Sequence, residues 1–163
     1  MDEMGGRGAS AGEIELLYRA RYRAFVRGTT ALLRDGEAAY DVVQEAFARA
    51  LSRRRTFRGE GTVEAWLWRI VLNGVRDRRR SDVRAPATSF AAVAESRGGE
   101  ADELRAAILA LPERQRTAVF LRYYADLSYA QIADVLGVKP GTVAASLHAA
   151  HRSLRRDLEE VAR

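Results

Sequence analysis

The sequence predicts an all-α fold of two small helical domains joined by a flexible linker, the second containing a helix-turn-helix. Apolar residues recur at helical spacing in two blocks, with no alternation long enough for a strand. Proline, glycine and small residues interrupt this periodicity at residues 82–100. Caps and apolar spacing near the C-terminus are typical of a helix-turn-helix. We therefore expect domains at residues 10–81 and 101–163.

The first block is expected to form a bundle of three helices with short connections. The first helix starts at Glu13 and ends at Asp35-Gly36, the second runs from about Glu37 to Arg53, and the third from Thr62 to about Arg80. Residues at i, i+3 and i+4 spacing define the inward faces. The expected core residues are Ile14, Leu17, Tyr18, Phe25, Thr29, Leu32, Leu33, Val43, Ala46, Phe47, Ala50, Leu51, Val63, Trp66, Leu67, Ile70, Val71 and Gly74.

The third helix and the loop before it carry basic and aromatic residues away from that expected core. Arginines anchor phosphates, exposed aromatic rings stack on unpaired bases, and Asn73 can hydrogen-bond a base edge. This combination is typical of a single-strand-binding surface. The alternative is a solvated arginine face, with Trp66 in the core and Trp68 packed against a neighbouring helix. The residues expected to bind nucleic acid are Phe57, Arg58, Trp68, Arg69, Asn73, Arg76, Arg79 and Arg80.

The second helix carries a polar face made of Asp41, Gln44, Glu45 and Arg49. Such a face is most often the solvated side of a helix, and the residues alone favour that interpretation. It could also dock a basic partner protein, because its carboxylates would complement cations on that partner.

The second block begins near Ala101 and leads into the helix-turn-helix. Ser128 and Gln131 form a capping box, Gly137 suits a left-handed helix end, and Pro140 suits a first helical residue. An ordinary helical hairpin would share these caps, but the combined spacing favours DNA binding. The last helix is expected to reach about Glu160. The apolar positions of this block are Leu104, Ile108, Leu111, Ala118, Val119, Leu121, Tyr123, Ile132, Ala133, Leu136, Val138, Val143 and Leu147.

Charge and composition favour a polyanionic partner and exclude several chemistries. The 163 residues carry a net charge of +5, and Lys139 is the only lysine. Because there is no cysteine, neither disulfides nor thiolate metal sites are expected. His148 and His151 have no third metal ligand near them in the sequence. Gly59-Glu-Gly61 is not a phosphate-binding P-loop, because the Gly-Lys-Ser/Thr ending of that motif is missing. We expect a cytoplasmic protein without catalytic residues, metal, cofactor, small-molecule substrate or membrane-inserted segment.

Three motifs in this order resemble the sigma factors of bacterial RNA polymerase, in the extracytoplasmic-function group of the sigma-70 family. The segment from Asp41 to Leu51 is similar to the family's helix that grips the polymerase clamp. Phe57 through Arg80 is similar to its promoter-melting segment. The Leu-Pro-x-x-x-Arg pattern that begins at Leu111, followed by the helix-turn-helix, resembles its upstream-element domain.

The resemblance implies a promoter-specificity subunit whose partners are core RNA polymerase, promoter DNA and an anti-sigma factor. The first domain would bind polymerase and the minus-ten element, the latter through the basic and aromatic residues given above. The second would read the minus-thirty-five element through its last helix. The residues implied there are Thr142, Ala145, Ser146, His148, Ala149, Arg152 and Arg155. Family members often carry more Lys and Arg after Gly-Thr-Val than this chain does, so base readout by methyl contacts is expected.

Two other functional classes compete with the sigma-factor interpretation. A stand-alone dimeric helix-turn-helix regulator would bind an operator palindrome without polymerase. A helical adaptor that binds only protein would show no salt-dependent DNA affinity. The polar face at Asp41 and the aromatic and basic third helix favour the sigma factor over both.

Overall fold

The structure, a computed structural model, describes residues 8–82 and 100–161. Within these ranges every regular element is helical, which confirms the all-α prediction. The chain divides into an N-terminal unit, Met1–Ala91, and a C-terminal unit, Ala92–Arg163. The predicted flexible linker lies outside the described residues except at its two ends, where Asp82 closes one helix and Glu100 opens the next.

The N-terminal unit contains α1 (Ala11–Leu33), α2 (Gly36–Ser52), a 3-10 turn (Arg54–Thr56) and α3 (Val63–Asp82). The three α-helices pack against one another in a bundle. A capping box starts α1: the Ser10 hydroxyl accepts the N–H of Glu13, and the Glu13 carboxylate accepts the N–H of Ser10. The predicted helix boundaries are correct to within two residues.

The turn between α1 and α2 differs from the prediction. Arg34, with a φ of 58°, takes the left-handed position at the end of α1, and Gly36 is already the first residue of α2. Asp35 explains the shift, because its carboxylate accepts the N–H of Ala38 and caps α2. The cap therefore fixes Gly36 inside a helix and leaves the strained conformation to an arginine.

Aromatic rings form the centre of this unit. The Trp68 ring stacks on Phe25 with centroids 4.3 Å apart, and Phe47 meets Phe25 edge-on at 5.4 Å. The prediction that Tyr18 and Leu51 lie in the core is wrong, because their exposed fractions are 43% and 44%. Tyr18 lies at the edge of the aromatic cluster, with its ring centroid 5.2 Å from that of Phe47.

The C-terminal unit contains α4 (Glu100–Ala110), α5 (Glu113–Tyr123), α6 (Tyr129–Leu136) and α7 (Pro140–Val161). The last helix packs against the other three. The predicted capping box of Ser128 and Gln131 is present, and Gly137 ends α6 with a φ of 67°. The helix-turn-helix is therefore built as the sequence predicts.

The core of this unit contains Val143, Leu147 and Ala150 of α7 against the buried faces of the other helices. Leu104 and Tyr123, both predicted to be apolar core, are instead 42% and 59% exposed. Ala107 fills the inward position on α4, one turn from Leu104.

A buried arginine closes α4. Arg116 of the Leu-Pro-x-x-x-Arg pattern is 7% exposed, and its Nη1 donates to the carbonyl oxygens of Leu109 and Leu111 at 2.7 and 3.3 Å. The last carbonyls of a helix have no partner within the helix, so this guanidinium supplies one. The arginine of the pattern is thus part of the C-terminal core.

Candidate nucleic-acid and partner-binding surfaces

The outward face of α3 carries a row of polar and basic side chains, which we call the α3 stripe. Its members follow i, i+3 and i+4 spacing, so they share one face of the helix. Arg69, Asn73, Arg76 and Arg80 are exposed, and Trp66 at the start of the row is half-buried. Arg76 Nη1 donates to Asn73 Oδ1 at 3.3 Å. The row offers guanidinium groups, one amide and one aromatic ring to a ligand.

The prediction that Trp68 lies on this exposed face is wrong. Trp68 is 1% exposed and stacks on Phe25 in the core. Trp66, which was predicted to lie in the core, is half-buried and is the aromatic residue next to the exposed arginines. The spacing back from Asn73 to Arg69 and then Trp66 was the signal that could have distinguished the two tryptophans.

Two further residues predicted to bind nucleic acid are held inside the N-terminal unit. Phe57 is 9% exposed, and its ring packs on Trp66 with centroids 5.6 Å apart. Arg79 is half-buried, and its Nη2 donates to the carbonyl oxygen of Leu32 at 2.6 Å. Phe57 is therefore buried and Arg79 is only partly exposed, because these side chains join α3 to the preceding loop and to the end of α1; their contacts with nucleic acid stay predictions. Arg58 remains exposed.

The loop before α3, residues 53–62, which we call the basic loop, turns sharply at two glycines. Gly59 and Gly61 have φ values of 76° and 77°, a conformation that side-chain-bearing residues adopt with strain. At the loop's end, Thr62 Oγ1 accepts the N–H of Ala65 and caps α3. The loop thus reaches α3 through two backbone turns that glycine adopts without strain.

The predicted partner-binding residues share the exposed face of α2. Asp41, Gln44, Glu45 and Arg49 are all exposed. Arg49 Nε donates to Glu45 Oε1 at 2.8 Å, and Gln44 Nε2 donates to the Tyr40 hydroxyl at 3.1 Å. The face thus presents carboxylates, one amide and an exposed tyrosine in a single row.

Below this row, burial raises the pKa of the Tyr22 hydroxyl to about 12, and the neighbouring Tyr40 and Tyr18 add to the rise. The rise keeps the Tyr22 hydroxyl protonated even at alkaline pH.

A groove with a volume of about 260 Å³ runs beside the α2 face, between α2 and α3. Its floor is narrow because the helices approach closely at Gly74, where an added Cβ would lie 3.0 Å from Val42 Cγ1. The walls carry charges of both signs. The lining residues are Asp41, Val42, Glu45, Ala46, Arg49, Ile70, Gly74, Asp77, Arg78 and Ser81.

The exposed face of α7 lies opposite its buried residues Val143, Leu147 and Ala150. The predicted minus-thirty-five residues divide into two groups by exposure. Thr142, Ala145, His148, Arg152 and Arg155 are exposed, whereas Ser146 and Ala149 are half-buried on the flanks. With about 3.6 residues per turn, Ala145 and Arg152 lie opposite those buried residues, so they mark the centre of the outward face.

The second histidine of α7 has a partner in α5. The Tyr123 hydroxyl and His151 Nε2 lie 2.8 Å apart, which accounts for the exposed position of Tyr123. Over residues 8–82 and 100–161, no three side chains of the metal-binding types cluster together. In those same ranges, no helix has the length and apolar character needed to cross a membrane.

Comparison with known proteins identifies both units. The family model described as Sigma-70 region 2 matches residues 17–85, and the one described as Sigma-70, region 4 matches residues 101–154. The RNA polymerase sigma-E factor of Streptomyces antibioticus is 32% identical, covering 90% of this chain and 85% of that protein. The ECF RNA polymerase sigma factor EcfG of Rhodopseudomonas palustris is also 32% identical, over 74% of this chain and 71% of its own length.

Solved structures show the same fold. The sigma factor RpoE of Bartonella quintana, crystallised with the anti-sigma factor NepR, superimposes with a TM-score of 0.77 at 21% identity, covering 91% of this chain and 98% of that one. CnrH, solved with the cytosolic domain of CnrY, gives 0.68 at 23% identity, covering 90% of this chain and 88% of its own. From its two matched regions and these relatives, the chain belongs to the extracytoplasmic-function group of the sigma-70 family of RNA polymerase sigma factors.

Proposed function

We propose that this sigma factor directs RNA polymerase to promoters through three separate surfaces. The α2 face docks core polymerase, the basic loop and α3 stripe hold the melted minus-ten strand, and the outward face of α7 lies in the major groove at the minus-thirty-five element. The observation that carries the proposal is the α3 stripe, where exposed arginines flank Asn73 and adjoin a half-buried tryptophan.

The chemistry of the α3 stripe suits an unpaired strand better than a duplex. Guanidinium groups bind phosphates without reading sequence, whereas an amide can pair with an exposed base edge. The Trp66 ring offers a stacking surface at the end of the stripe nearest the basic loop. On this one helix face, the arginines would therefore position the strand and Asn73 would read its bases.

No reaction chemistry is assigned to the chain itself. Its role is to bind and position, and it works in the cytoplasm wherever polymerase meets DNA. A dimeric helix-turn-helix regulator would use only the C-terminal unit and would leave the region 2 match without a role. An anti-sigma factor is a further proposed partner, because the sigma factors RpoE and CnrH were solved with the partners NepR and CnrY.

Transcription from promoter DNA tests the overall proposal. Purified chain mixed with core polymerase should yield run-off transcripts and retard promoter DNA in a gel, whereas the chain alone should retard it weakly. Equal retardation with and without core polymerase would favour the stand-alone regulator. No salt-dependent DNA binding in either mixture would favour the protein-only adaptor.

Substitutions at Asn73 and Arg76 of the α3 stripe should give different defects. Asn73→Ala should relax base preference at the minus-ten element, because it removes the only amide of the stripe. Arg76→Ala should weaken binding to all sequences about equally, since phosphate contacts carry no base information. Permanganate reactivity of melted thymines on a panel of minus-ten variants measures both effects. Wild-type reactivity across the panel for both variants would contradict the proposal.

A cation added at the centre of the outward α7 face should tighten DNA binding. Ala145→Arg places a guanidinium where the structure shows an exposed position, and it should steepen the salt dependence by about one phosphate contact. Ala106→Arg, on an exposed position of α4, adds the same charge away from α7 and serves as the control. The logarithm of affinity plotted against that of salt gives the slope. If Ala145→Arg and Ala106→Arg gave the same slope, DNA would not lie against the outward face of α7.

A further inference from the structure

The segment just before α1, residues 8–10, lies against the 3-10 turn that opens the basic loop; we call it the N-terminal strap. The Ala9 N–H donates to the carbonyl oxygen of Arg54 at 2.9 Å, and Ala9 itself is 6% exposed. This hydrogen bond joins backbone groups 45 residues apart in the sequence. The strap is therefore a tertiary contact to the loop and not a simple extension of α1.

Only glycine fits at the closest point of this contact. A Cβ built on Gly8 would lie 2.9 Å from the Cα of Arg55 and 3.0 Å from the carbonyl oxygen of Arg54. Both are backbone atoms, which cannot move aside by rotating a side chain. Any other residue at position 8 must push the strap and the turn apart. For Gly12, the second residue of α1, an added Cβ would have nothing nearer than the Ser10 hydroxyl oxygen at 3.9 Å.

The carbonyl that holds the strap also holds the loop. Arg54 O accepts the N–H of Phe57 at 3.4 Å, and the Phe57 ring packs on Trp66 at the start of the α3 stripe. The Arg54 side chain in turn donates to the carbonyl oxygen of Leu51 at the end of α2. Strap, α2 and α3 thus all converge on a three-residue turn.

A 3-10 turn of this length has little stability of its own, so its geometry depends on such outside contacts. Holding the turn fixes the backbone that carries the exposed arginines Arg53, Arg55 and Arg58. Ordering a loop before its ligand arrives lowers the entropy lost on binding.

We propose that Gly8 is a positioning residue for nucleic-acid binding: the strap it forms fixes the 3-10 turn and so presents the basic loop to the melted strand. The proposal rests on the minus-ten role assigned above to the loop and the α3 stripe. Gly8 does not itself touch nucleic acid. It acts through the Arg54 carbonyl and Phe57.

Gly8→Ala, compared with Gly12→Ala, tests the proposal in holoenzyme assembled from the full chain and core polymerase. Hydrogen exchange of the peptide spanning residues 53–62 should accelerate in Gly8→Ala only. Its affinity for a fluorescent single-stranded minus-ten oligonucleotide should fall by about threefold to tenfold. Core-polymerase affinity, set by the α2 face, should match wild type in both variants.

Stability and the proposed function are separated by two further comparisons. If Gly8→Ala lowers the thermal midpoint, Ala9→Pro repeats the test, because it removes the N–H that binds Arg54 without adding a side chain at position 8. If hydrogen exchange of residues 53–62 and oligonucleotide affinity in Gly8→Ala both matched wild type, the proposal that Gly8 positions the basic loop would be wrong. If Asn73→Ala and Arg76→Ala also bound the oligonucleotide normally, the proposed minus-ten role itself would be wrong. If only those two variants bound it weakly, the minus-ten role would stand and only the proposal for Gly8 would be wrong.

Discussion

Replacing Trp68 by alanine is expected to lower the free energy of unfolding of the N-terminal unit by about 3–5 kcal/mol. The ring is 1% exposed and stacks on Phe25 at the centre of the three-helix bundle. Its removal loses the transfer free energy of a large aromatic side chain and leaves a cavity that three packed helices fill only in part. The loss is structural and does not come from a missing contact with DNA.

Urea unfolding followed by tryptophan fluorescence measures the effect of Trp68→Ala selectively. Both tryptophans, Trp66 and Trp68, lie in α3, so the signal reports the N-terminal unit. Trp68→Phe should cost much less, because it keeps a ring against Phe25 and the buried Trp68 Nε1 has no hydrogen-bond partner among the described residues. A Trp68→Ala protein with wild-type stability that fails only in promoter opening would return Trp68 to the nucleic-acid surface.

Reversing two charges on the α2 face is expected to abolish recovery of core polymerase. The double variant Asp41→Lys with Glu45→Lys would replace the two exposed carboxylates of the row by cations. Against a basic partner surface, this converts attraction into repulsion, which costs several kcal/mol and slows association. Pull-down with purified core enzyme, followed by run-off transcription, measures binding and its consequence.

Two matched single variants distinguish the effect of a charge at the proposed interface from the effect of losing an ion pair on a helix surface. Glu45 pairs with Arg49, and Glu15 of α1 pairs with Arg19, each at i, i+4 spacing and each well exposed. Glu45→Lys and Glu15→Lys therefore lose the same kind of surface ion pair, which contributes only about 0.3–0.5 kcal/mol. Only the former should weaken polymerase binding. Equal effects, or capture of the double variant at wild-type level, would reject the α2 face as the docking surface.

Local signals in the sequence predicted most of the helices because their boundaries are set locally. The capping box at Ser128 and the glycine at position 137 act within one turn of helix, so their residue types reveal their roles. Where two local signals competed, the prediction failed. Asp35 as an N-cap outweighed Gly36 as a helix end, and Arg34 took the left-handed position.

The surfaces were less predictable, because which face of a helix is buried depends on its neighbours. In α3, tryptophans at positions 66 and 68 each extend an apolar series at helical spacing, and in the structure it is Trp68 that stacks on Phe25. Tyr123 was assigned to the core, but its partner is His151 on another helix. The contact of Gly8 with Arg55 spans most of the N-terminal unit and leaves no periodic signal in the sequence.

The arrangement of α7 has a consequence for how this protein can evolve. The residues that hold the helix in the core, Val143, Leu147 and Ala150, occupy one side, and the exposed positions, including Ala145 and Arg152, occupy the other. Surface substitutions away from caps and cores usually change stability by less than about 0.5 kcal/mol. Substitutions on the outward side are therefore only weakly constrained by the need to keep the domain folded. With the minus-thirty-five role proposed for this face, a few such changes would redirect the protein to a new set of genes while the unit that presents them stayed intact.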